Sequence, residues 1–166
     1  MDFSLIWEIV KVLLMVIAAV TLACIVDFTR SKKNKMSFRE SMDLTELPVV
    51  TFRQDGKDKF NFLLDTGSSL SVINEPILNI IKHTSLDCTS SVYGMEGNCV
   101  ETSLVSIPLK YKDTDYVENF QVVDMSAAFD KVKKENGVTI HGILGNSFFV
   151  KYKYVLDFKE LIAYSR

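Results

Sequence analysis

The apolar residues of the chain change their spacing after about the first quarter of its length. Between Val12 and Val26 the sequence VLLMVIAAVTLACIV carries no charged residue. A helix needs about 20 apolar residues to cross a hydrocarbon core about 30 Å thick. Residues 1–28 are therefore predicted to form a transmembrane helix, with the lipid bilayer as a partner. No Lys or Arg occurs in the first ten residues, which argues against a cleaved signal peptide. A minor alternative is a lipoprotein-like cleavage box at Thr21-Leu22-Ala23-Cys24.

A basic segment follows this apolar run. Arg30, Lys32, Lys33 and Lys35 lie directly after it. Basic residues beside a membrane-spanning helix favour the cytoplasmic side. Residues 29–43 are polar and lack an apolar period, so they are interpreted as a basic juxtamembrane linker. The sequence thus predicts a single-pass membrane protein whose remaining residues, 44–166, form a cytoplasmic domain.

After Leu44 the apolar positions alternate with polar ones, as strands with one buried face do. Alternation is clear at Phe60–Leu64 and Val105–Leu109, and Val117–Val123 is a further short apolar run. Asp55-Gly56 between Val49–Phe52 and Lys59–Phe62 favours a tight turn, which predicts a hairpin. Many short strands at this spacing indicate a mainly β domain, either a small barrel or a sandwich.

Short helices are predicted between the strands. One begins at Pro76 and places Ile77, Leu78, Ile80 and Ile81 on one face. A second begins with Ser126 as its cap and ends at Asn136-Gly137. Its predicted inward residues are Ala127, Ala128, Phe129 and Val132. A third short helix covers Ser147–Val150, and Tyr152–Tyr164 is predicted to be a terminal hairpin.

Composition and charge exclude several classes of function. Apolar residues make up 48% of the chain and charged residues 24%, which is ordinary for a globular protein. The formal net charge of -2 provides no overall basic field, so a nucleic-acid partner is not expected. Three cysteines without paired metal-ligand spacing predict no metal site, and no cofactor is expected. Whether Cys88 and Cys99 form a disulfide depends on the compartment and stays open.

The candidate chemistry lies in the segment Asp65-Thr66-Gly67-Ser68-Ser69, which follows the strand Phe60–Leu64. Two carboxylates about 3 Å apart cannot both ionise, so they share a proton, and such a pair can activate a water for peptide hydrolysis. Gly67 would let the backbone approach the carboxylate, and Ser68 could bond its outer oxygen. Asp-Thr-Gly occurs once in the chain. A second copy, related by two-fold symmetry, would therefore have to supply the partner carboxylate.

Three motifs in a fixed order resemble retropepsin-like aspartic proteases, the family of retroviral proteases and their bacterial relatives. They are the loop Asp65-Thr66-Gly67, a glycine-bearing flap at Tyr93-Gly94-Met95-Glu96-Gly97-Asn98, and the segment Ile143-Leu144-Gly145 before a short helix. The resemblance covers about residues 44–164. It implies a closed β barrel, a homodimer in which the two copies of Asp65 face each other, and flaps that close over an extended peptide or protein substrate.

Two residues depart from the family pattern, and simpler interpretations stand beside the catalytic one. Ser68 replaces the Ala usual in retroviral members, and Asn146 follows Gly145 where those members often carry Arg. His83 and His141 are interpreted as structural residues, since neither has a nucleophile beside it. Asp65 could merely cap a turn. A catalytically silent binding or dimerisation module is the alternative function, and a passive domain on a functional anchor is a third.

Overall fold

The computed structural model describes residues 3–33, 37–55, 58–93 and 99–165. The chain divides into two units, Met1–Asn34 and Lys35–Arg166. The first unit contains helix α1, Phe3–Lys33. No helix in the part of the chain that the structure describes is both long and apolar enough to cross a membrane. The transmembrane helix predicted for residues 1–28 is therefore not supported by the structure.

The second unit is built mainly from β-strands. Its helices are α2 (Phe38–Thr45), a single 3₁₀ turn (Glu75–Asn79), α3 (Ser126–Asn136) and α4 (Asn146–Tyr152). Its strands are β1 (Val49–Gln54), β2 (Asp58–Leu64), β3 (Ser71–Asn74), β4 (Thr84–Tyr93), β5 (Cys99–Tyr111), β6 (Thr114–Val123), β7 (Gly142–Leu144), β8 (Tyr154–Asp157) and β9 (Ile162–Ser165). The strands predicted from alternating apolar residues are all present.

Seven of these strands form one sheet in the order β1-β2-β7-β3-β6-β5-β4, and β8 pairs with β9 separately. A further pairing of Arg53 in β1 with Lys110 in β5 closes six of the strands into a barrel, and β4 extends from it. Aromatic rings fill the interior, where Phe52 packs edge-on against Phe62 and Phe148 at 5.8 and 5.9 Å between ring centroids. The predicted closed, mainly β fold with short helices is confirmed.

Two hairpins lie where the sequence predicts them. β1 and β2 pair antiparallel with Val50 opposite Phe62, and β8 and β9 form the terminal hairpin. β4 and β5 form a third hairpin, which is paired as far as Tyr93 and Cys99. Cys88 lies five residues before Tyr93 on β4 and is a free thiol. At about 3.4 Å per residue, the register holds Cys88 about 17 Å from Cys99, so this hairpin does not form a disulfide between them.

The helices differ from their predictions in detail. The turn that begins near Pro76 ends at Asn79, and Ile80 beyond it is 63% exposed rather than buried. α3 begins at Ser126 and ends before Gly137, whose φ of 72° stops the helix as predicted. Only Phe129 of its predicted inward residues is fully buried, while Ala127 and Ala128 face solvent. The N-cap of α3 is Met125 rather than Ser126.

Helix α2 begins inside the segment 29–43 that the sequence indicates as a linker and ends at Thr45, just beyond it. Ser37 caps it by accepting a hydrogen bond of 3.2 Å from Glu40 N. Phe38 is buried and contacts Phe158 edge-on at 5.5 Å. The buried hydroxyl of Ser41 donates to Leu47 O and accepts from Val49 N, which ties the helix to the start of β1. The compact unit therefore begins before Leu44.

Candidate active site

The Asp65 loop begins where β2 ends. β2 runs parallel to β7, with Leu64 opposite Leu144. The next amide, Asp65 N, donates to Leu144 O at 3.0 Å and so extends this pairing by one residue. The carboxylate then turns back onto its own loop, because Gly67 N donates to Asp65 Oδ1 at 2.8 Å. The pairing of β2 with β7 and this turn together fix the position and orientation of the Asp65 carboxylate.

The segment after β7 holds the other side of the loop. Asn146 N donates to Ser68 O at 2.8 Å, and Ser147 N donates to Ser69 O at 3.1 Å. The side-chain amide of Asn146 donates to Thr66 O at 2.9 Å. Carbonyl groups on both sides of Gly67 are thus bound by two consecutive residues at the start of α4. Retroviral members of the family often carry Arg at the position of Asn146. Here Asn146 holds the Asp65 loop through both its backbone and its side-chain amide.

The glycine of the loop lies directly against the carboxylate. A Cβ atom on Gly67 would lie 3.1 Å from Asp65 Oδ1. That distance is shorter than an ordinary van der Waals contact, so a side chain there would require the Asp65 carboxylate to shift by a few tenths of an ångström. The hydroxyl of Ser68 donates to Leu70 O at 2.7 Å and not to the carboxylate oxygen that the sequence suggested.

The loop lies at the surface of the described chain. Asp65 is half-buried, while Thr66 and Gly67 are exposed. Ile143 is half-buried and Leu144 fully buried behind them. Asp157 does not supply a second carboxylate for Asp65. Its Oδ1 accepts hydrogen bonds from Lys159 N and Glu160 N within the β8–β9 turn. In the described part of the chain, Asp65 therefore lies on an accessible loop without Asp157 as a second carboxylate.

Comparison with known proteins agrees with this geometry. The family model described as aspartyl protease matches residues 50–148, which is more than half of the chain and includes both the Asp65 loop and the Gly145 segment. The chain belongs to the aspartyl protease family. The resemblance inferred from the three motifs is confirmed at this level.

The chain is also similar to a solved structure, that of EIAV protease complexed with the inhibitor HBY-793. The sequence identity is 20% and the TM-score 0.44, and the match covers 66% of this chain and 90% of the other. No curated protein matches the chain.

The structure brings together some of the site residues predicted from the sequence. Asp65, Thr66, Gly67 and Ser68 form the loop, and Ile143, Leu144 and Gly145 pack against it. The flap residues Gly94, Met95, Glu96 and Gly97 lie outside the described residues, as does the side chain of Tyr93. Within the described ranges, no cluster of three or more His, Cys, Asp and Glu side chains is placed to hold a metal ion.

One residue close to the site, Glu118, is not among the site residues predicted from the sequence. Glu118 lies on β6, which was predicted only as an apolar-rich strand, and its side chain is 3% exposed. Its neighbour Val117 is 50% exposed. The signal is present in the sequence, because alternation places Tyr116, Glu118 and Phe120 on one face. A carboxylate between two inward aromatic residues indicates a buried charge that needs partners.

His141 precedes β7 and is tied to β2. Its Nδ1 accepts a hydrogen bond of 2.9 Å from Asn61 N, and its own amide donates to Asn61 O. Burial lowers the pKa of His141 below its usual range, and the positive charge of Lys133 acts in the same direction. Protonation would also place a hydrogen on Nδ1, where the Asn61 amide already donates. His141 is therefore a structural residue that favours the neutral form.

Because His141 is buried in its neutral form, we expect the folded protein to lose stability in mild acid. Because the pKa is lower in the folded state, the unfolded chain binds more protons, and stability falls as the pH drops below about 6.5, the pKa of an unperturbed histidine. His141→Asn keeps an acceptor for Asn61 N and removes the titration. Urea unfolding at pH 7 and pH 5 should show a smaller loss of stability for this variant than for wild type. His83→Asn, at an exposed histidine, should behave as wild type, and an unchanged slope for His141→Asn would contradict the assignment.

Proposed function

We propose that the protein is an aspartic endopeptidase in which two chains form a homodimer and Asp65 of each supplies one catalytic carboxylate. The observation that carries the proposal is the orientation of Asp65 on an exposed loop. Gly67 N binds Oδ1, while Oδ2 has no hydrogen-bond partner among the described residues. The remaining oxygen is therefore available to a water or to the carboxylate of a second copy.

The proposed reaction is direct hydrolysis. The two carboxylates share one proton, because like charges this close do not both ionise. The ionised carboxylate removes a proton from water, and the oxygen attacks the peptide carbonyl, which the protonated carboxyl polarises. The tetrahedral intermediate then breaks its C–N bond, and the leaving nitrogen takes up the proton that the first carboxylate removed from water. No covalent enzyme intermediate forms.

The substrate is proposed to bind as an extended peptide beneath the flaps. The β4–β5 hairpin supports this, because it extends from the closed barrel as far as Tyr93 and Cys99. We assign Tyr93, Gly94, Met95, Glu96 and Gly97 to the flap that contacts substrate. Membrane attachment through residues 1–28, with the protease domain in the cytoplasm, stays a prediction from the sequence alone.

Cleavage of a randomised peptide library at a series of protein concentrations tests this function. Because two chains complete one site, the initial rate should rise with about the square of concentration below the dimer dissociation constant, and linearly above it. Mass measurement across the same series should show the dimer where the rate becomes linear. Cleavage proportional to concentration by a monomer would contradict the homodimer, and a folded dimer without cleavage would favour the silent binding module.

A further inference from the structure

Glu118 is a carboxylate on the inner face of the barrel. It lies on β6 between the buried Tyr116 and Phe120, and only 3% of its side chain is exposed. A charge removed from water costs several kcal/mol unless hydrogen bonds and ion pairs replace the lost solvation. The hydrogen bonds and the ion pair of Glu118 therefore indicate its role in the structure.

One oxygen of Glu118 binds two serines from different elements. Oε1 accepts from Ser71 Oγ at 3.0 Å and from Ser147 Oγ at 2.8 Å. The other oxygen, Oε2, lies 3.7 Å from the ammonium group of the half-exposed Lys151. Ser71 is the first residue of β3 and Ser147 lies in the first turn of α4. A single carboxylate thus joins the strand after the Asp65 loop to the helix that clamps the loop.

Both serines also hydrogen-bond to residues in or next to the Asp65 loop. Ser71 Oγ accepts from Gly145 N at 3.2 Å, and Ser147 N donates to Ser69 O at 3.1 Å. Between them, Asn146 binds Ser68 and Thr66. The residues from Gly145 to Ser147 are therefore held by Glu118 on one side and hold the Asp65 loop on the other.

We propose that Glu118 is a positioning residue for the catalytic Asp65, acting through Ser71 and Ser147. This inference rests on the proposed peptidase function. Ser71 and Ser147 are also 3.3 Å apart, so they can hydrogen-bond to each other if the carboxylate is removed. The barrel then keeps its fold, but the residues Gly145 to Ser147 shift, and the Asp65 loop that they bind shifts with them. A displacement of about 1 Å at a catalytic group can reduce the rate about 100-fold, so the effect falls on kcat.

The test compares Glu118→Leu with Glu118→Gln in the full chain. Leucine removes the acceptor, and we expect kcat to fall about 10- to 100-fold with KM within about twofold of wild type. Glutamine keeps an oxygen for both hydroxyls and loses only the pair with a half-exposed lysine, so kcat should stay within about threefold. Asp115→Asn, exposed on the same strand, should match wild type. An unchanged kcat for a folded Glu118→Leu, or equal losses for Leu and Gln, would overturn the proposal.

A second variant covers failure of Glu118→Leu to fold. Ser147→Ala removes one of the two hydroxyl contacts at a half-buried position, and we expect about a tenfold lower kcat. Hydrogen exchange of the amides of Gly145, Asn146 and Ser147 adds a measurement independent of activity. These amides donate to the loop and to Ser71, so they should exchange faster in Ser147→Ala than in wild type or Asp115→Asn. Unchanged kcat and exchange would overturn the proposal.

The two proposals can fail separately. If wild type and Asp65→Asn both lack cleavage, the peptidase function fails, and exchange at Gly145 to Ser147 alone decides whether Glu118 holds the loop. If wild type cleaves but neither exchange nor kcat changes in the variants, the peptidase function stands and the role of Glu118 is overturned.

Discussion

Asp65→Asn is expected to abolish peptide hydrolysis without changing the fold. The asparagine amide neither removes a proton from water nor donates an acidic proton to the carbonyl, so the loss should be at least about 1000-fold. Its side-chain oxygen can still accept the 2.8 Å hydrogen bond from Gly67 N. The loop therefore keeps its backbone contacts, and the chemical loss is separated from a structural one.

The measurement is the initial rate on the best peptide found in the library, together with circular dichroism and mass. Asp130→Asn is the matched control, because it makes the same substitution at an exposed position on α3. It should leave the rate unchanged. Cleavage by Asp65→Asn at a rate close to wild type would show that Asp65 only shapes the turn.

Gly145→Ala is expected to damage both stability and activity. An added Cβ would lie 2.4 Å from Leu70 O and 2.9 Å from Ser68 O. These are backbone atoms of the Asp65 loop, and they do not move aside as the end of a flexible side chain would. Overpacking of this kind costs about 3 kcal/mol. Because relief of the clash must shift the loop, kcat/KM should fall at least about 100-fold.

Gly137→Ala is the control that separates the loss of stability from the loss of activity. Gly137 has φ of 72°, and nothing lies within 4 Å of an added Cβ. Alanine there costs about 1 kcal/mol through backbone strain alone, at the end of α3. Urea unfolding should show both variants destabilised, but only Gly145→Ala should lose activity. A Gly145→Ala protein with wild-type kcat/KM would contradict the close packing of this glycine against the loop.

The local parts of the fold follow from short-range patterns. Alternating apolar residues predict β2, β5 and β6, and Asp55-Gly56 predicts the first hairpin, because both signals act within a few residues. The Asp65 loop follows for the same reason, since a tight turn after a buried strand places a carboxylate at the strand end. In each case the sequence neighbours are also the neighbours in space.

The parts that depend on distant contacts do not follow from such patterns. α2 buries Phe38, Ser41 and Thr45, and only the first is apolar, so its inner face does not look hydrophobic. The alternation along β6 indicates that Glu118 is buried, but it does not identify the partners Ser71 and Ser147, which lie far from Glu118 in the sequence. Closure of the barrel likewise depends on one pairing between β1 and β5.

Mixing wild type with Asp65→Asn at constant total protein, above the dimer dissociation constant, tests the shared catalytic site most directly. If two copies of Asp65 form one site, random pairing leaves about one quarter of the dimers fully wild type in an equal mixture, and activity should fall to about one quarter. A fall to about one half would mean that each chain works alone, which would contradict a shared pair of carboxylates.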